Sequence, residues 1–257
     1  MRSPLETFAG RRDYVKYRFC VFDIDGVLNP AGKPVQKESL KALELLEDQG
    51  LKISFASGKH PWYITGGLIF SGLLRKDTII IGEAGGHVFF PHSKESILYT
   101  QFVKDIKNLK KIFYENQLFR NEFWEEPKET LFSLFPKQWG LIPVIAQELQ
   151  KIIDEEGLNL YVITHVDAID AMQNGLSKEV GLKILSERLN ISLEEMIAFG
   201  DGMNDLEMLS SVGYPVAVGN AVDGIKKVVE NRGGYRAKQE YGKGVLEAVD
   251  YILKTIL

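Results

Sequence analysis

Disulfides and membrane-spanning segments are the first features that the sequence lacks. The 257-residue chain contains a single cysteine, Cys20, so no disulfide can form within it, and we predict a reducing, cytoplasmic compartment. Because Cys20 lies in a hydrophobic run without a surrounding motif, we interpret it as a core residue rather than a catalytic thiol. No apolar run approaches the roughly 20 residues that a membrane-spanning helix needs. Residues 1–18 lack an apolar core and a small-residue cleavage site, so we interpret them as a short extension and not as a signal peptide.

A strong charge of either sign is also lacking. The formal net charge is −4 at pH 7, which argues against a general binder of nucleic acids or membrane surfaces. The composition, 45% hydrophobic and 26% charged, is typical of a soluble globular protein with a substantial core. We therefore expect neither a nucleic acid nor a membrane among the partners, and the sequence specifies no oligomeric state.

Alternating strand and helix patterns occupy the first and last thirds of the chain. Apolar runs such as Phe19–Phe22, Leu51–Ala56 and Met196–Phe199 are separated by segments with helical spacing of apolar residues. This alternation is typical of a parallel sheet that is covered on both faces. Residues 86–173 are instead rich in aromatic residues and in hairpin-like turn signals. We predict an α/β fold, with a Rossmann-like parallel sheet formed by residues 1–85 and 174–257 and an inserted α+β domain at 86–173.

Two carboxylates follow the first apolar strand directly. Asp23 and Asp25 are separated by one residue, and Gly26 allows the chain to turn sharply after them. Two acids at the end of a buried strand repel each other and lose hydration, so a cation or a shared proton is expected between them. Asp-Gly is also a frequent turn sequence, and for this pair alone a plain turn is the competing interpretation.

Further polar groups are expected at the same edge of the sheet, because the carboxyl ends of parallel strands meet there. They are Ser57 and Gly58 after the second strand, Lys178 at the start of a helix, and Asp201, Asn204 and Asp205 in the sequence GDGMND. Carboxylate oxygens suit Mg²⁺, whereas a hydroxyl, backbone N–H groups and a lysine suit a phosphate. The set therefore predicts a phosphoryl site that uses Mg²⁺. Helix capping by the two acids and a solvated lysine are the competing interpretations.

The four histidines do not suggest a second metal site. Their spacing is not that of metal ligands, and we expect them to be structural or to lie at the surface; they are His60, His87, His92 and His165. The alternative for His87 and His165 is that they face the substrate from the insert.

Four motifs, in this order, resemble those of the haloacid dehalogenase superfamily of phosphohydrolases. They are FDIDGVL, ASGK, the segment around Lys178, and GDGMND, and the resemblance extends to AVGNA at Ala217–Ala221. The size and position of the insert resemble the cap domain of the Cof-type branch, which includes sugar-phosphate phosphatases and archaeal phosphoglycolate phosphatases. The stretch GEAGG at Gly82–Gly86 is similar to the junction motif of that branch.

The resemblance implies a role for each polar residue. Asp23 would be the nucleophile and form an aspartyl-phosphate, while Asp25 would protonate the leaving oxygen and then accept a proton from water. Mg²⁺ would bind the carboxylate of Asp23, the backbone carbonyl of Asp25 and Asp201, with Asp205 holding it directly or through water. The groups that contact the phosphoryl oxygens would be Ser57, Gly58, Asn204 and Lys178.

Two positions depart from the family pattern without removing a reactive group. Ser57 stands where the family usually has threonine and keeps the hydroxyl, and Val27 replaces the threonine that commonly follows the acid pair. The expected function is that of an Mg²⁺-dependent phosphatase acting on a small phosphorylated metabolite, either a sugar phosphate or phosphoglycolate. The alternatives are a phosphosugar mutase and a sugar-phosphate-binding module without turnover.

Overall fold

The computed structural model describes residues 17–257, so the interpretation of residues 1–16 as an extension lies outside the described residues. The strands are β1 (Phe19–Asp23), β2 (Lys52–Ala56), β3 (Ile79–Gly82), β4 (His87–Phe90), β5 (Glu95–Leu98), β6 (Phe123–Glu126), β7 (Leu131–Pro136), β8 (Leu160–Thr164), β9 (Ile169–Gln173), β10 (Met196–Gly200), β11 (Tyr214–Ala217) and β12 (Tyr235–Arg236). The α-helices are α1 (Lys37–Asp48), α2 (Pro61–Phe70), α3 (Val103–Glu115), α4 (Ile142–Glu155), α5 (Lys178–Leu189), α6 (Leu206–Ser211), α7 (Asp223–Asn231) and α8 (Tyr241–Thr255). Within residues 17–257, none of these helices has both the length and the apolar character that crossing a membrane requires.

The chain divides into two compact units. Unit 1 contains the described residues up to Ser54 together with Leu189–Leu257, and unit 2 contains Phe55–Arg188. The chain passes from unit 1 to unit 2 within β2 and returns at the end of α5. The sequence-based boundaries, with an insert at 86–173, follow the change from strand–helix alternation to hairpins, and they remain a prediction.

Unit 1 contains the predicted parallel sheet. Its strand order is β12-β11-β10-β1, followed by β2, and the pairs β1–β10, β10–β11 and β11–β12 are parallel. All five residues of β1 and of β10 are buried, as expected for strands with both faces covered. The rings of Phe22 and Phe199, partners in the register, stack with centroids 4.3 Å apart. This packing fixes the two central strands, and with them the position of the residues that follow each strand.

The helices α1 and α8 of unit 1 pack closely on each other. A Cβ at Gly242, at the start of α8, would collide with the hydroxyl of Ser39 in α1, so the helices approach at a point where only glycine fits. The hydroxyl of Ser39 donates to the carbonyl of Leu28 at 2.7 Å, which ties α1 to the loop after β1. The α1–α8 pair therefore supports the loop that carries Asp25.

Unit 2 contains an antiparallel group, β3-β4-β5, and a second sheet in the order β6-β7-β9-β8. All three pairings of the second sheet are antiparallel, and α3 and α4 cover it with apolar side chains that pack around Phe132 of β7. The predicted α+β character of this region is confirmed. The sequence interpretation did not anticipate β6 and β9, since their sequences FWEE and IDAMQ contain acidic residues that are uncommon in strands.

Candidate active site

Three carboxylates meet at the carboxyl edge of the unit 1 sheet. Asp23 ends β1 and Asp201 directly follows β10, and these parallel strands are neighbours in the sheet. Carboxylate oxygens of Asp23, Asp201 and Asp205 all lie within 4.8 Å of one another. Because three like charges this close repel one another, the cluster favours a bound cation, and an all-oxygen ligand set suits Mg²⁺.

Asp205 owes its position to a single turn of 3-10 helix at Met203–Asp205. Its side chain is fully buried, and its Oδ2 accepts hydrogen bonds from the backbone N–H groups of Asp201 at 2.9 Å and Gly202 at 3.1 Å. A Cβ at Gly200 would lie 2.7 Å from the Cβ of Asp205, so this glycine leaves room for the carboxylate. Asp205 thus caps the turn, as the competing interpretation supposed, and also belongs to the carboxylate cluster.

Gly26 is required by the same cluster for two reasons. Its φ is +92°, in the left-handed region, and a Cβ there would collide with the carboxylate of Asp201.

Asn220 makes two hydrogen bonds near this turn. Its side-chain amide donates to the Gly26 carbonyl at 2.8 Å, and its side-chain oxygen accepts from the Tyr241 N–H at 2.8 Å. Asn220 therefore holds the turn after β1 against the start of α8, a role that sequence reasoning missed although it singled out the AVGNA segment.

Asp25 is oriented separately from the three clustered carboxylates. Its side chain is partly exposed, and its Oδ1 accepts a hydrogen bond from the Asn29 amide at 3.2 Å. The Gly26 N–H donates to the Asn29 carbonyl at 2.8 Å, which closes the turn around Asp25. The carboxylate of Asp25 is outside the cluster, and binding of a metal through its backbone carbonyl remains a prediction.

The predicted phosphate-binding residues are divided between the two units. Asn204 lies exposed in the 3-10 turn of unit 1, whereas Ser57, Gly58 and Lys178 belong to unit 2. Ser57 is buried, its Oγ accepts from the Lys59 N–H at 3.3 Å, and its carbonyl accepts from the Ala84 N–H at 3.1 Å. No atom lies within 4 Å of a Cβ built at Gly58, so its backbone borders open space.

Lys178 is 1% exposed at the start of α5, so it is not the solvated lysine of the competing interpretation. A Cβ at Gly85 would collide with the Ser177 carbonyl and lie 3.1 Å from the Cα of Lys178. The turn at residues 83–85 therefore borders both Ser57 and Lys178 in unit 2. The role of Lys178 in binding phosphate remains a prediction.

Cys20 is excluded as a nucleophile. It lies fully buried in β1, and burial raises the pKa of its thiol far above the ordinary value. The interpretation of Cys20 as a core residue is confirmed.

Comparisons with known proteins agree with this geometry. The sequence profile described as haloacid dehalogenase-like hydrolase matches residues 20–139 and 121–239. Phosphoglycolate phosphatase 1 of Saccharolobus solfataricus is 27% identical over 241 residues, which cover 92% of this chain and 96% of the relative. An HMP-PP phosphatase of Yersinia pseudotuberculosis is 27% identical over 243 residues, with coverage of 82% and 87%. A crystal structure of a haloacid dehalogenase-like hydrolase from Bacteroides thetaiotaomicron matches with a TM-score of 0.70 at 22% identity, covering 92% of this chain and 99% of that chain.

A parallel sheet that gathers carboxylates at its strand ends is typical of enzymes that bind a divalent cation together with an anionic substrate. The chain belongs to the haloacid dehalogenase-like hydrolase family, as its four motifs predict. The relatives are named as phosphatases, so the predicted enzyme class, a phosphoric monoester hydrolase, is confirmed. The fold class is confirmed by the structural match.

Proposed function

We propose that this protein is an Mg²⁺-dependent phosphatase that hydrolyses a small phosphorylated metabolite through an aspartyl-phosphate on Asp23. The observation that carries the proposal is the cluster of Asp23, Asp201 and Asp205 at the ends of two adjacent parallel strands. These residues would hold the ion, which, when bound, screens the negative charge of the carboxylate and the phosphate from each other.

The chain's own residues supply the two chemical steps. In the first, a carboxylate oxygen of Asp23 forms a bond to phosphorus, the bond from phosphorus to the ester oxygen breaks, and Asp25 gives its proton to that oxygen. In the second, Asp25 takes a proton from water as the water oxygen bonds to phosphorus, and the bond to Asp23 breaks. Phosphate is released and both aspartates return to their starting states.

Hydrogen bonds made by Asp23 and Asp25 support the proposed roles of Asp23 as nucleophile and Asp25 as general acid and base. Asp23 Oδ1 accepts from the Ile24 N–H at 2.8 Å, which fixes the plane of the nucleophilic carboxylate. Asp25 is held by Asn29, and its partial exposure allows exchange of its proton with water. We propose that Ser57, Gly58 and Asn204 donate hydrogen bonds to the phosphoryl oxygens and that Lys178 neutralises their charge.

The names of two relatives support the proposed class of substrate, a small phosphorylated metabolite. One is named a phosphoglycolate phosphatase and the other an HMP-PP phosphatase, and both names describe small phosphorylated molecules. We propose phosphoglycolate and sugar phosphates as the first substrates to assay.

Phosphate release and trapping of the phosphoenzyme test the mechanism. Asp23→Asn is expected to abolish phosphate release. With an aryl phosphate, whose leaving oxygen needs no proton, Asp25→Asn is expected to accumulate an acid-stable, hydroxylamine-sensitive phosphoenzyme, because only the second step then depends on Asp25 as a base. Asp48→Asn, at the exposed end of α1, is the matched control and is expected to leave turnover unchanged. Full activity in Asp23→Asn would falsify the nucleophile assignment, and an isomerised sugar phosphate in place of free phosphate would identify a mutase.

A further inference from the structure

A second group of side chains that could bind a metal lies in unit 2. It consists of His60, just before α2, Glu83, just after β3, and His87, at the start of β4. One ligand atom from each lies within 4.8 Å of the other two. Glu83 is fully buried, His87 is 5% exposed and His60 is partly exposed. The fold thus gathers two imidazoles and a carboxylate that the sequence spacing did not connect.

Glu83 and His87 are within hydrogen-bond distance of each other and His60 is not, and the spacing of all three also suits a shared ion. Glu83 Oε1 lies 3.2 Å from His87 Nδ1 and 3.7 Å from His60 Nε2. The longer of these exceeds a hydrogen-bond distance. Two ligands placed about 2.0–2.2 Å from a tetrahedral ion are themselves separated by about 3.4 Å, and both observed distances are close to that value.

Outer hydrogen bonds already orient Glu83 and His87. Glu83 Oε2 accepts from the Glu129 N–H at 2.9 Å and from the N–H and hydroxyl of Thr130 at 2.7 and 2.8 Å. This leaves Oε1 as the carboxylate oxygen that faces the two histidines. His87 Nε2 is paired with the hydroxyl of Ser96, and when Ser96 acts as the acceptor, Nδ1 carries the lone pair that a metal needs. Partners of this kind fix the orientation of ligands in metal sites.

The surrounding charge also permits a cation. One carboxylate and two imidazoles, which bind metals in their neutral form, contribute a single negative charge as a ligand set. The ammonium of Lys128 is paired with Glu126 at 2.8 Å, so it is not an uncompensated positive charge beside the group. Binding through His60 Nε2 would cost the hydrogen bond that its Nδ1 accepts from the Trp62 N–H at 3.2 Å. That loss weakens the start of α2 but removes no ligand.

We propose that His60, Glu83 and His87 bind one divalent transition-metal ion of the zinc type, with water as the fourth ligand. Such an ion would join the segment before α2 to the turn after β3. These segments already share backbone hydrogen bonds, from Glu83 N–H to the Lys59 carbonyl at 3.0 Å and from Ala84 N–H to the Ser57 carbonyl at 3.1 Å. The ion would therefore stabilise the loop that carries Ser57, and its binding does not depend on the proposed function.

Cobalt spectroscopy tests the proposal, because tetrahedral Co²⁺ with nitrogen ligands absorbs strongly in the visible, whereas Co²⁺ in an all-oxygen octahedral site does not. The full-length protein is stripped with a chelator, saturated with Mg²⁺ and titrated with Co²⁺. We expect visible bands that saturate at one equivalent and disappear when one equivalent of Zn²⁺ is added. Asp201→Asn is expected to keep the bands, which assigns them to unit 2 rather than to the carboxylate cluster.

Variants of the histidines provide the decisive comparison. His60→Gln and His87→Gln are each expected to weaken Co²⁺ binding by more than about 100-fold, since each removes a ligand rather than an outer partner. His92→Gln is the matched control, because His92 lies exposed in the same unit and is expected to leave binding unchanged. Circular dichroism checks the fold of each variant, and if His87→Gln does not fold, the partly exposed His60 still decides the result. The proposal is overturned if the wild-type protein shows no tetrahedral bands, or if a folded His60→Gln variant retains them.

Discussion

The clearest single-residue prediction concerns Gly26. Alanine at this position would collide with the carboxylate of Asp201 and would have to adopt a φ of +92°. We expect Gly26→Ala to lower kcat/KM about 100-fold, because displacement of a positioned group by about 1 Å has that effect. Gly32→Ala is the matched control: φ is +69° there, but nothing lies within 4 Å of the added Cβ. It should lose about 1 kcal/mol of stability from strain alone and keep its activity. Equal activities of the two variants would contradict the steric argument.

His165 provides a prediction about pH. A hydrogen bond to the Asp170 carboxylate, 3.1 Å from His165 Nε2, raises the pKa of His165, although partial burial opposes the shift. Because the folded-state pKa is raised, the stability from this pair is fully present below about pH 6.5 and is lost as the pH rises through the folded-state pKa. Titration of the His165 ring by NMR should show the raised pKa. Asp170→Asn should lower it, and Asp167→Asn should lower it less, since Asp167 acts on His165 only through its charge. An unchanged pKa in Asp170→Asn would disprove the pairing.

Among the structural elements, the turn at residues 83–85 and the loop before β7 are joined by a buried hydrogen bond from the Thr130 hydroxyl to Glu83. Thr130→Val keeps the shape and both backbone donors to this carboxylate but removes the hydroxyl donor. Hydrogen bonds to charged groups contribute about 1.5–3 kcal/mol, so we expect a destabilisation of that size in urea unfolding. Thr130→Ser retains the hydroxyl and should lose only about 1 kcal/mol, from the missing methyl group. If both variants were destabilised equally, the hydrogen bond would have no measurable role.

The same elements show what a sequence can and cannot reveal. Buried strands such as β1 and β10 are continuous apolar runs, and amphipathic helices such as α4 repeat their apolar residues at helical spacing, so both were predictable. β6 and β9 are held by their neighbours in an antiparallel sheet, and their own residues give little sign of it. The meeting of His60 with Glu83 and His87 has the same origin, because it depends on tertiary placement and not on spacing.

For the molecule as a whole, the alternation of strands and helices predicted that the aspartates would meet, because a parallel sheet brings distant strand ends to one edge. Asp23 and Asp201 are separated by most of the chain, yet β1 and β10 are neighbours. The boundaries of the two compact units, in contrast, were not predictable from the sequence patterns. One boundary falls between residues 54 and 55, inside β2, and the other between residues 188 and 189, at the end of α5. Neither position carries a turn signal in the sequence. Asn220 was missed for a related reason, since its two hydrogen bonds join segments on either side of it in sequence.

Removal of Mg²⁺ should affect activity and stability together, because both depend on the carboxylate cluster. Three carboxylates within 4.8 Å repel one another when no cation is bound, so the metal-free protein should be less stable and inactive. Chelation followed by return of Mg²⁺ should restore phosphate release. At about 100 times its Kd, Mg²⁺ should raise the free energy of unfolding by about 2.7 kcal/mol, measured by thermal or urea denaturation. Asp201→Asn should lose both responses, whereas Asp48→Asn should keep both. A protein that releases phosphate at full rate in chelator, or an Asp201→Asn variant that Mg²⁺ still stabilises, would show that the cluster does not bind the ion.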